Sequence, residues 1–407
     1  MSYSTITKCR VCGSTDLLEV LDLGFQPLAN SLRRNVMDSE DRYPLTLLFC
    51  QDCSLVQLKE TVDKQALFSR YVWVTGTSST ARNFAEKFCT SVCDSANLRK
   101  GDLVVEIASN DGTFLAPFKD RGFHVLGIDP AENIAAIANE RGIETQTAFW
   151  DEETAREVVS ACGNPRLVFA RNVIAHVSEL TSVLKGINLC LDDEGTAVIE
   201  IHYAGKILSD LQYDAIYHEH LCYFSATTLG CLLAWHGLHA IDVDQGPISG
   251  GSLILICSKR KPRNLTPYDA LVANENNKGV NAELEWVKFG RRCQTHRDES
   301  RELVAQHAGK IMVGFGASAR SSTFLNFCGF KHPGIAAIID NNPIKQGCFS
   351  PGSHIPIVSM SEGLGLSPGL IFLLGWNFRD EIIADCRMHG YKGNFLAPFP
   401  NQPYFVT

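Results

Sequence analysis

The sequence is short of basic residues and has no long apolar run. Lys and Arg number 37 against 45 Asp and Glu, which gives a formal net charge of −8 at pH 7. Because no basic cluster is present either, nucleic acid is not expected as the main partner. No apolar stretch approaches the length of a membrane span, and residues 1–8 lack the apolar core of a signal peptide. We therefore expect a cytoplasmic protein without a membrane partner.

The 15 cysteines are not arranged as a disulfide framework. Most stand singly among apolar residues, where thiols are usually small core residues. Four are spaced to act together, in Cys9-x-x-Cys12 and Cys50-x-x-Cys53. Two such turns supply a tetrahedral shell of thiolates that suits zinc and leaves no open position for a substrate. The spacing predicts a structural zinc site in a loop-rich N-terminal unit; free thiols or a redox pair are the less specific alternative.

One strand-turn-helix pattern organises the middle of the chain. The apolar run 103–107 leads into the turn Asn110-Asp111-Gly112 and then into an amphipathic pattern. Such a turn lets the main chain approach a nucleotide-like ligand, and Asp129, after the next strand, can accept ribose hydroxyls. The turn has neither a full G-x-G-x-x-G nor a phosphate-loop lysine. It resembles motif I of the S-adenosylmethionine methyltransferases, with Ala108 in place of the first glycine; an ordinary α/β turn is the alternative.

The region 101–200 alternates between strand and helix patterns. Strands at 103–107, 124–128, 167–171 and 195–201 indicate a doubly wound parallel sheet, whose ligand lies at the carboxyl ends of the strands. Those ends carry Glu106, Asp129 and Asn172, which leads on to His176. Phe149 is as well suited to lining an adenine-binding site as to packing in the hydrophobic core. Upstream, the hydroxyl-rich turn at 75–79 either covers a ligand or only caps the helix predicted at about 80–97.

Ionisable and phenolic side chains cluster at Tyr217-His218-Glu219-His220, shortly after a predicted strand. Neither H-E-x-x-H nor a facial triad is visible, so a metal is disfavoured here. Imidazole titrates nearest to neutrality, and an adjacent Glu or Tyr can orient it or stabilise an oxyanion. The cluster therefore predicts acid–base chemistry; a solvated surface turn is the alternative.

A second nucleotide-type turn lies towards the C-terminus. The strand at 250–257 is expected to close the central sheet, and the polar linker and helices at about 259–309 mark a domain boundary. Gly314-x-Gly316-x-x-Ala319 is then close to a Rossmann turn, with Asp340 as the acid after the next strand. Taken alone, this second turn and its acid indicate binding of a nicotinamide dinucleotide. Arg320, directly after the turn, instead suits the diphosphate of a nucleotide-sugar. Two such halves favour a cleft with one ligand in each.

Taken together, these motifs resemble the deoxysugar C-methyltransferases, which act on nucleotide-activated 4-keto-6-deoxyhexoses. The resemblance covers nearly the whole chain, and its motifs occur in one order: the paired C-x-x-C turns, L-G-x-x-P-L-A-N, T-G-T-S-S, E-I-x-S-N-D-G, Y-H-E-H, G-G-S-L, G-x-G-A-x-A and W-N-F. It implies an α/β chain of three domains. These are a zinc-binding domain at 1–70, a class I methyltransferase domain of Rossmann-like fold at 71–260, and a second Rossmann-like domain at 261–407 that helps bind the nucleotide-sugar.

The resemblance also implies cofactors and site residues. The cofactors are S-adenosylmethionine and a structural Zn²⁺, the partner is a nucleotide-sugar, and the chain is expected to act as a monomer. The implied zinc ligands are Cys9, Cys12, Cys50 and Cys53. The implied cofactor site consists of Tyr71, Thr75, Glu106, Ser109, Asn110, Gly112, Asp129, Phe149 and Asn172. At the sugar, His220 is the expected base, beside Tyr217, Glu219, His176 and Trp73. The nucleotide-sugar is expected to contact Gly316, Ser318, Arg320, Lys345, His354 and Trp376.

The sequence departs from this family at three positions. Trp73 stands where related enzymes can carry a tyrosine, Ser249 where histidine is common, and Arg320 where lysine is frequent. The resemblance implies methylation at C3 of a dTDP- or GDP-linked 4-keto-6-deoxyhexose through an enolate, in branched deoxysugar biosynthesis. The alternatives are methylation at C5, a nicotinamide-dependent sugar oxidoreductase, and a nucleotide-sugar binding protein without catalysis.

Overall fold

The N-terminal part of the chain is built from short strands. The computed structural model describes residues 3–68, 73–247 and 250–406. The first elements are β1 (Tyr3–Thr5), β2 (Leu17–Pro27), β3 (Arg42–Cys50), β4 (Val56–Leu58), β5 (Glu60–Val62) and helix α1 (Lys64–Phe68). β2, β3 and β4 form an antiparallel sheet, and β1 pairs with β5. A small apolar cluster of Leu28, Tyr43 and Val62 is local to this part.

A seven-stranded sheet forms the centre, in the order β12-β13-β10-β9-β6-β7-β8. The elements of this region are α2 (Ser79–Ser95), β6 (Leu103–Ile107), α3 (Ala116–Asp120), β7 (His124–Asp129), α4 (Glu132–Glu140), β8 (Thr145–Thr147), α5 (Glu152–Cys162), β9 (Leu167–Arg171), α6 (Leu180–Cys190), β10 (Thr196–His202), α7 (Ala204–Asp210), β11 (Cys222–Tyr223), α8 (Ala226–Trp235), β12 (His239–Gly246) and β13 (Ser252–Ser258). Short 3-10 turns occupy Thr75–Thr77, Ile174–His176 and Tyr213–Ala215.

The predicted parallel sheet is confirmed for its ligand-bearing strands. β10, β9, β6, β7 and β8 pair in parallel, so their carboxyl ends meet at one edge. On the other side of the sheet, β13 and β12 run antiparallel, a direction that the sequence pattern had not specified. The predicted strand at 250–257 is β13, and it does join the sheet beside β10.

The C-terminal part contains a second, six-stranded sheet in the order β16-β15-β14-β17-β18-β19. Its elements are α9 (Pro267–Lys278), α10 (Glu283–Ala305), β14 (Met312–Phe315), α11 (Ala319–Cys328), β15 (Ala337–Ile339), β16 (Ile357–Val358), α12 (Met360–Gly365), β17 (Leu370–Leu373), α13 (Arg379–Met388), β18 (Asn394–Ala397) and β19 (Tyr404–Val406), with a 3-10 turn at Trp376–Phe378. Except at β19 the strands pair in parallel, as a Rossmann-like half requires.

The three parts share apolar cores and one sheet. Leu45, Leu47 and Phe49 of β3 belong to the same buried cluster as Phe324 and Phe372 of the C-terminal half. β11, which lies in the central part of the chain, pairs antiparallel with β4 and so becomes the outer strand of the N-terminal sheet. Within the described residues, no helix combines the length and apolarity needed to cross a bilayer.

Candidate active site

The four cysteines come together as their spacing predicts. Their sulfur atoms all lie within 4.8 Å of one another, and the Cys9–Cys53 and Cys12–Cys50 sulfur distances are 3.6 Å and 3.5 Å. Tetrahedral coordination with Zn–S bonds of about 2.3 Å separates the sulfurs by about 3.8 Å. The cluster therefore fits a zinc ion with four thiolate ligands, and such a closed shell is structural.

The turn after β6 folds onto the acid that ends β7. The Asn110 N–H donates to Asp129 Oδ2 at 2.8 Å, and the Ala131 N–H donates to Asp129 Oδ1 at 2.9 Å. Burial raises the pKa of Asp129, while the two amides partly offset this. Because each carboxylate oxygen accepts more than one hydrogen bond, Asp129 can still accept ribose hydroxyls.

The backbone of this turn is tightly constrained. Ala108 and Asn110 both have a φ of 52°, and Gly112 has a φ of 74°. A Cβ on Gly112 would lie 2.8 Å from Ile143 side-chain atoms, so only glycine fits there. Ala108, where motif I usually has glycine, adopts the left-handed conformation at a cost of about 1–2 kcal/mol.

The segment 73–78 is attached to the same turn. Asn110 Oδ1 accepts the Thr75 N–H at 2.8 Å and its Nδ2 donates to the Trp73 carbonyl at 3.1 Å, while Asp111 Oδ2 accepts the Gly76 N–H at 3.1 Å. Ser78 caps α2 by accepting the Ala81 N–H. The predicted cap is therefore present, and Thr75 lies beside the predicted cofactor turn. Tyr71 lies outside the described residues.

Buried polar atoms without partners lie at the ends of β6 and β9. Among the described residues, Glu106 Oε2 and Asn172 Oδ1 have no hydrogen-bond partner. Burial raises the pKa of Glu106 well above its usual value, although the Arg171 guanidinium opposes this. Arg171 itself is paired with Glu200 at 2.6 Å. Since buried polar atoms are normally satisfied, these two are suited to the polar groups of a bound cofactor.

Three imidazole rings meet next to this edge of the sheet. The His220 ring centroid lies 4.7 Å from that of His176 and 4.5 Å from that of His202. Burial lowers the pKa of His176 to about 4 and that of His202 to about 3. The pKa of His220 falls well below 6.5, first through burial and then through repulsion by the two other rings. His220 Nδ1 lies 2.8 Å from the Ala215 carbonyl oxygen, so Nδ1 carries the proton and Nε2 the lone pair.

Tyr217 and Glu219 lie beside the histidines. The Tyr217 ring centroid is 4.0 Å from that of His220. Burial raises the pKa of the Tyr217 phenol well above 10, and the Glu219 carboxylate raises it further. Glu219 is buried, and its Oε1 accepts a 2.6 Å hydrogen bond from Asn30 Nδ2 of the N-terminal part. Ala29 packs with Tyr217 and Ala319, so all three parts of the chain meet here.

The second nucleotide-type turn repeats the geometry of the first. Asp340 accepts the Ala317 N–H at 2.8 Å and the Asn342 N–H at 2.9 Å, as Asp129 accepts two amides in the central half. Here the buried Lys345 Nζ also donates to the Ala317 carbonyl at 2.7 Å and lies 3.4 Å from Asp340. A lysine is therefore bonded both to the turn and to the acid, a contact that the central half lacks among its described residues. Gly316 is left-handed, with a φ of 99°, and packs against Gly375.

Arg320 forms a buried ion pair. Its Nη2 donates to Asp214 Oδ1 at 2.7 Å and its Nε to Asp214 Oδ2 at 2.9 Å. Trp376 Nε1 donates to the same carboxylate at 2.7 Å, and the guanidinium lies 4.9 Å from the Trp376 ring. Two predicted substrate residues are thus adjacent, and both are joined to the loop that carries Tyr217.

Some predicted residues have other local contacts. The Ser109 side chain packs against β7, because a Cβ on Gly127 would lie 2.3 Å from its hydroxyl. Ser318 caps α11. His354 Nδ1 lies 3.3 Å from Arg33, and Phe149 has the Lys64 ammonium over its ring.

Sequence reasoning missed three residues of the cluster. His202 stands at the end of β10, and that position at a strand end was the available signal. Asn30 and Asp214 gave none, because each meets its partner only through contacts distant in sequence, 189 residues apart for Asn30 and Glu219.

Fold and site define a class. A parallel sheet with a glycine turn after its first strand and an acid after its second is the fold of a nucleotide-type cofactor site, which dinucleotide-binding enzymes share. The family models assign this chain to the S-adenosylmethionine-dependent methyltransferases. Family models agree along the chain: "Putative zinc binding domain" matches residues 9–68, "Methyltransferase domain" matches 82–243, and "C-methyltransferase C-terminal domain" matches 247–400.

A relative gives the family. C-methyltransferase NovU of Streptomyces niveus is 34% identical over 409 residues, which cover 99% of this chain and 97% of the relative. The chain belongs to this family of C-methyltransferases, and it uses S-adenosylmethionine and zinc.

Two similar solved structures each cover less than half of this chain. PH0226 of Pyrococcus horikoshii covers 48% of this chain and 98% of its own, at 16% identity and a TM-score of 0.37. Magnesium protoporphyrin IX methyltransferase of Synechocystis PCC 6803 covers 44% and 79%, at 14% identity and a TM-score of 0.33. The assignment does not depend on either.

Proposed function

We propose that the chain methylates C3 of a dTDP- or GDP-linked 4-keto-6-deoxyhexose through an enolate, in branched deoxysugar biosynthesis. The observation that carries the proposal is the neutral His220, with its Nε2 lone pair available, in ring contact with the neutral phenol Tyr217. Removing a proton from the carbon next to a ketone requires a base for that proton and a hydrogen-bond donor for the ketone oxygen. These two side chains would supply both.

His220 is the proposed base. Its Nδ1–H bond to the Ala215 carbonyl fixes the tautomer, so that Nε2 can take the C3 proton. Because the pKa of His220 lies well below 6.5, the imidazole is neutral at physiological pH but is a weak base. The enolate oxygen must therefore be strongly stabilised for the proton transfer to be fast.

Tyr217 is the proposed donor to that oxygen. Its pKa is raised well above 10, so the phenol keeps its proton and can donate a hydrogen bond. His176, which is neutral as well, is the second candidate donor, and Glu219 is proposed to orient the cluster. Trp73, half exposed beside the cofactor turn, is proposed to cover the sugar.

The cofactor is proposed to lie at the carboxyl ends of β6, β7 and β9. Bound S-adenosylmethionine supplies an electrophilic methyl group there. Asp129 would accept its ribose hydroxyls, and the unpartnered oxygens of Glu106 and Asn172 would meet its other polar groups. The main chain of Thr75, Asn110 and Gly112 would lie against the cofactor. The Phe149 ring would pack against its adenine.

The nucleotide-sugar is proposed to lie against the C-terminal half, where Gly316, Ser318, Arg320, Lys345, His354 and Trp376 were predicted. Lys345 argues for a sugar nucleotide over a nicotinamide dinucleotide. Its ammonium lies 3.4 Å from Asp340 Oδ2, which already accepts the Ala317 N–H, so this carboxylate has one partner more than Asp129 and is less available to a dinucleotide's ribose.

One assay tests the proposal. A panel of dTDP- and GDP-4-keto-6-deoxyhexoses is incubated with S-adenosylmethionine and analysed by mass spectrometry, with NMR of the product to locate the methyl group. We expect a gain of one methyl group at C3 and, without cofactor in D₂O, exchange of the C3 proton. Methylation at C5 would correct the position, whereas neither exchange nor methylation with any member would refute the proposal.

A further inference from the structure

We propose that Asn30 is a positioning residue for Glu219, so that the zinc-bearing N-terminal part forms one wall of the active site. The inference rests on the proposed function, because it assigns Asn30 a role through a residue of the proposed sugar site. It goes beyond that function in giving the N-terminal part a task in the reaction, in addition to carrying a structural zinc.

The primary observation is one hydrogen bond between distant parts of the chain. Asn30 Nδ2 donates to Glu219 Oε1 at 2.6 Å. Glu219 is only 3% exposed. A buried carboxylate needs such donors to remain ionised and in one rotamer. Asn30 follows Ala29, whose side chain packs directly on Tyr217.

Three further contacts join the proposed catalytic loop, residues 214–221, to the N-terminal part. His218 Nε2 lies 3.1 Å from the Pro44 carbonyl oxygen, and its ring meets the Tyr43 ring edge to face at 5.8 Å. The Leu58 N–H donates to the Leu221 carbonyl at 2.9 Å, immediately before the pairing of β11 with β4. The loop is therefore held on this side along its whole second half.

The opposite side of the loop is held by the C-terminal half. Thr323 Oγ1 donates to the Ile216 carbonyl at 3.0 Å, and Arg320 pairs with Asp214. These contacts fix the first half of the loop. On the N-terminal side, the Asn30 amide adds a donor to the Glu219 carboxylate.

The test compares Asn30→Ala with a matched control, Asn35→Ala. Asn35 is an exposed asparagine of the same part of the chain, and its side chain accepts the Met37 N–H. We expect Asn30→Ala to lower kcat at least tenfold, with an unchanged Kd for S-adenosylmethionine and an unchanged zinc content. Asn35→Ala should behave as the wild type in all three measurements. Wild-type kcat in Asn30→Ala would overturn the inference.

A double-mutant cycle separates positioning from general stability. If Asn30 acts through Glu219, adding Asn30→Ala to Glu219→Gln should lower kcat less than twofold further, whereas independent effects would multiply. Hydrogen exchange measured by mass spectrometry gives a readout without substrate: in Asn30→Ala, exchange should rise in peptides covering 214–221. Multiplied effects, or wild-type exchange in that loop, would refute the role of Asn30. A wild-type enzyme inactive on the whole sugar panel would refute the proposed function instead, and the exchange result would still decide on Asn30.

Discussion

The imidazole rings of His202 and His220 lie edge to face, with their centroids 4.5 Å apart. Protonating His202 would place a positive charge beside His220, so His202 lowers the pKa of His220. His220 is faced by His176, His202, Tyr217 and Tyr223, with Arg320 contributing a further positive charge. This cluster keeps the proposed base neutral.

His202→Gln tests that relationship. Removing the second imidazole should raise the pKa of His220, because one source of repulsion is lost. A base must be deprotonated to act, so the acidic limb of the kcat/KM–pH profile should move to higher pH. The profile of the variant is compared with that of His236→Gln, at the C-terminus of α8, which should match the wild type. A limb that stays in place would show that His202 does not influence the base.

His220→Asn should abolish methyl transfer while leaving cofactor affinity near normal. General base catalysis contributes about 10²–10⁴-fold, so kcat should fall by at least that factor. Isothermal titration with S-adenosylmethionine provides the second measurement. Lost cofactor binding together with lost activity would mean that His220 is not the base.

Asp129→Asn should weaken S-adenosylmethionine binding. The Asp129 carboxylate accepts hydrogen bonds from the Asn110 and Ala131 N–H groups. In the variant, an NH₂ group replaces one of the two accepting oxygens and cannot accept the N–H that faces it. We expect at least a tenfold higher Kd by titration calorimetry. Asp120→Asn, at the exposed end of α3, is the matched control. Equal Kd values for the two variants would remove Asp129 from the cofactor site.

Cys50→Ser should release zinc and destabilise the chain. Cys50 is completely buried and ends β3, so the loss of one thiolate breaks the four-ligand shell. Zinc measured by atomic emission should fall from one to well below one per chain, with a lower Tm. Cys162→Ser, an exposed thiol at the end of α5, should change neither value. Full zinc retention in Cys50→Ser would exclude it as a ligand.

NADH should not bind. Lys345 is a further donor to the Asp340 carboxylate, which the adenine ribose of a dinucleotide would require as an acceptor. A fluorescence titration with NADH should therefore show no saturable signal. Saturable binding that a nucleotide-sugar does not displace would revive the oxidoreductase alternative.

Local sequence patterns were sufficient for the strands and for the acid after each second strand. β6, β7 and β9 are short, apolar and buried, and such runs are recognisable without any partner. The antiparallel direction of β12 and β13 was not predicted, because an apolar run indicates a buried strand but not the direction in which it pairs.

The catalytic cluster shows the same limit. His220 and Tyr217 are neighbours in sequence, so their proximity was visible in the Y-H-E-H motif. The contacts of Glu219 with Asn30 and of Asp214 with Arg320 join residues far apart in the chain. Only the folded arrangement of all three parts defines these contacts, and for that reason the sequence predicts the zinc-binding part as a separate structural unit.

The pairing of β11 with β4 has a practical consequence for dissecting this enzyme. A shortened chain beginning at residue 71 would leave the backbone of Cys222 and Tyr223 without its partner strand and expose an apolar face. Unpaired strand edges of this kind promote aggregation. We therefore expect an isolated catalytic part to aggregate, and a shortened chain of this methyltransferase should keep the N-terminal sheet.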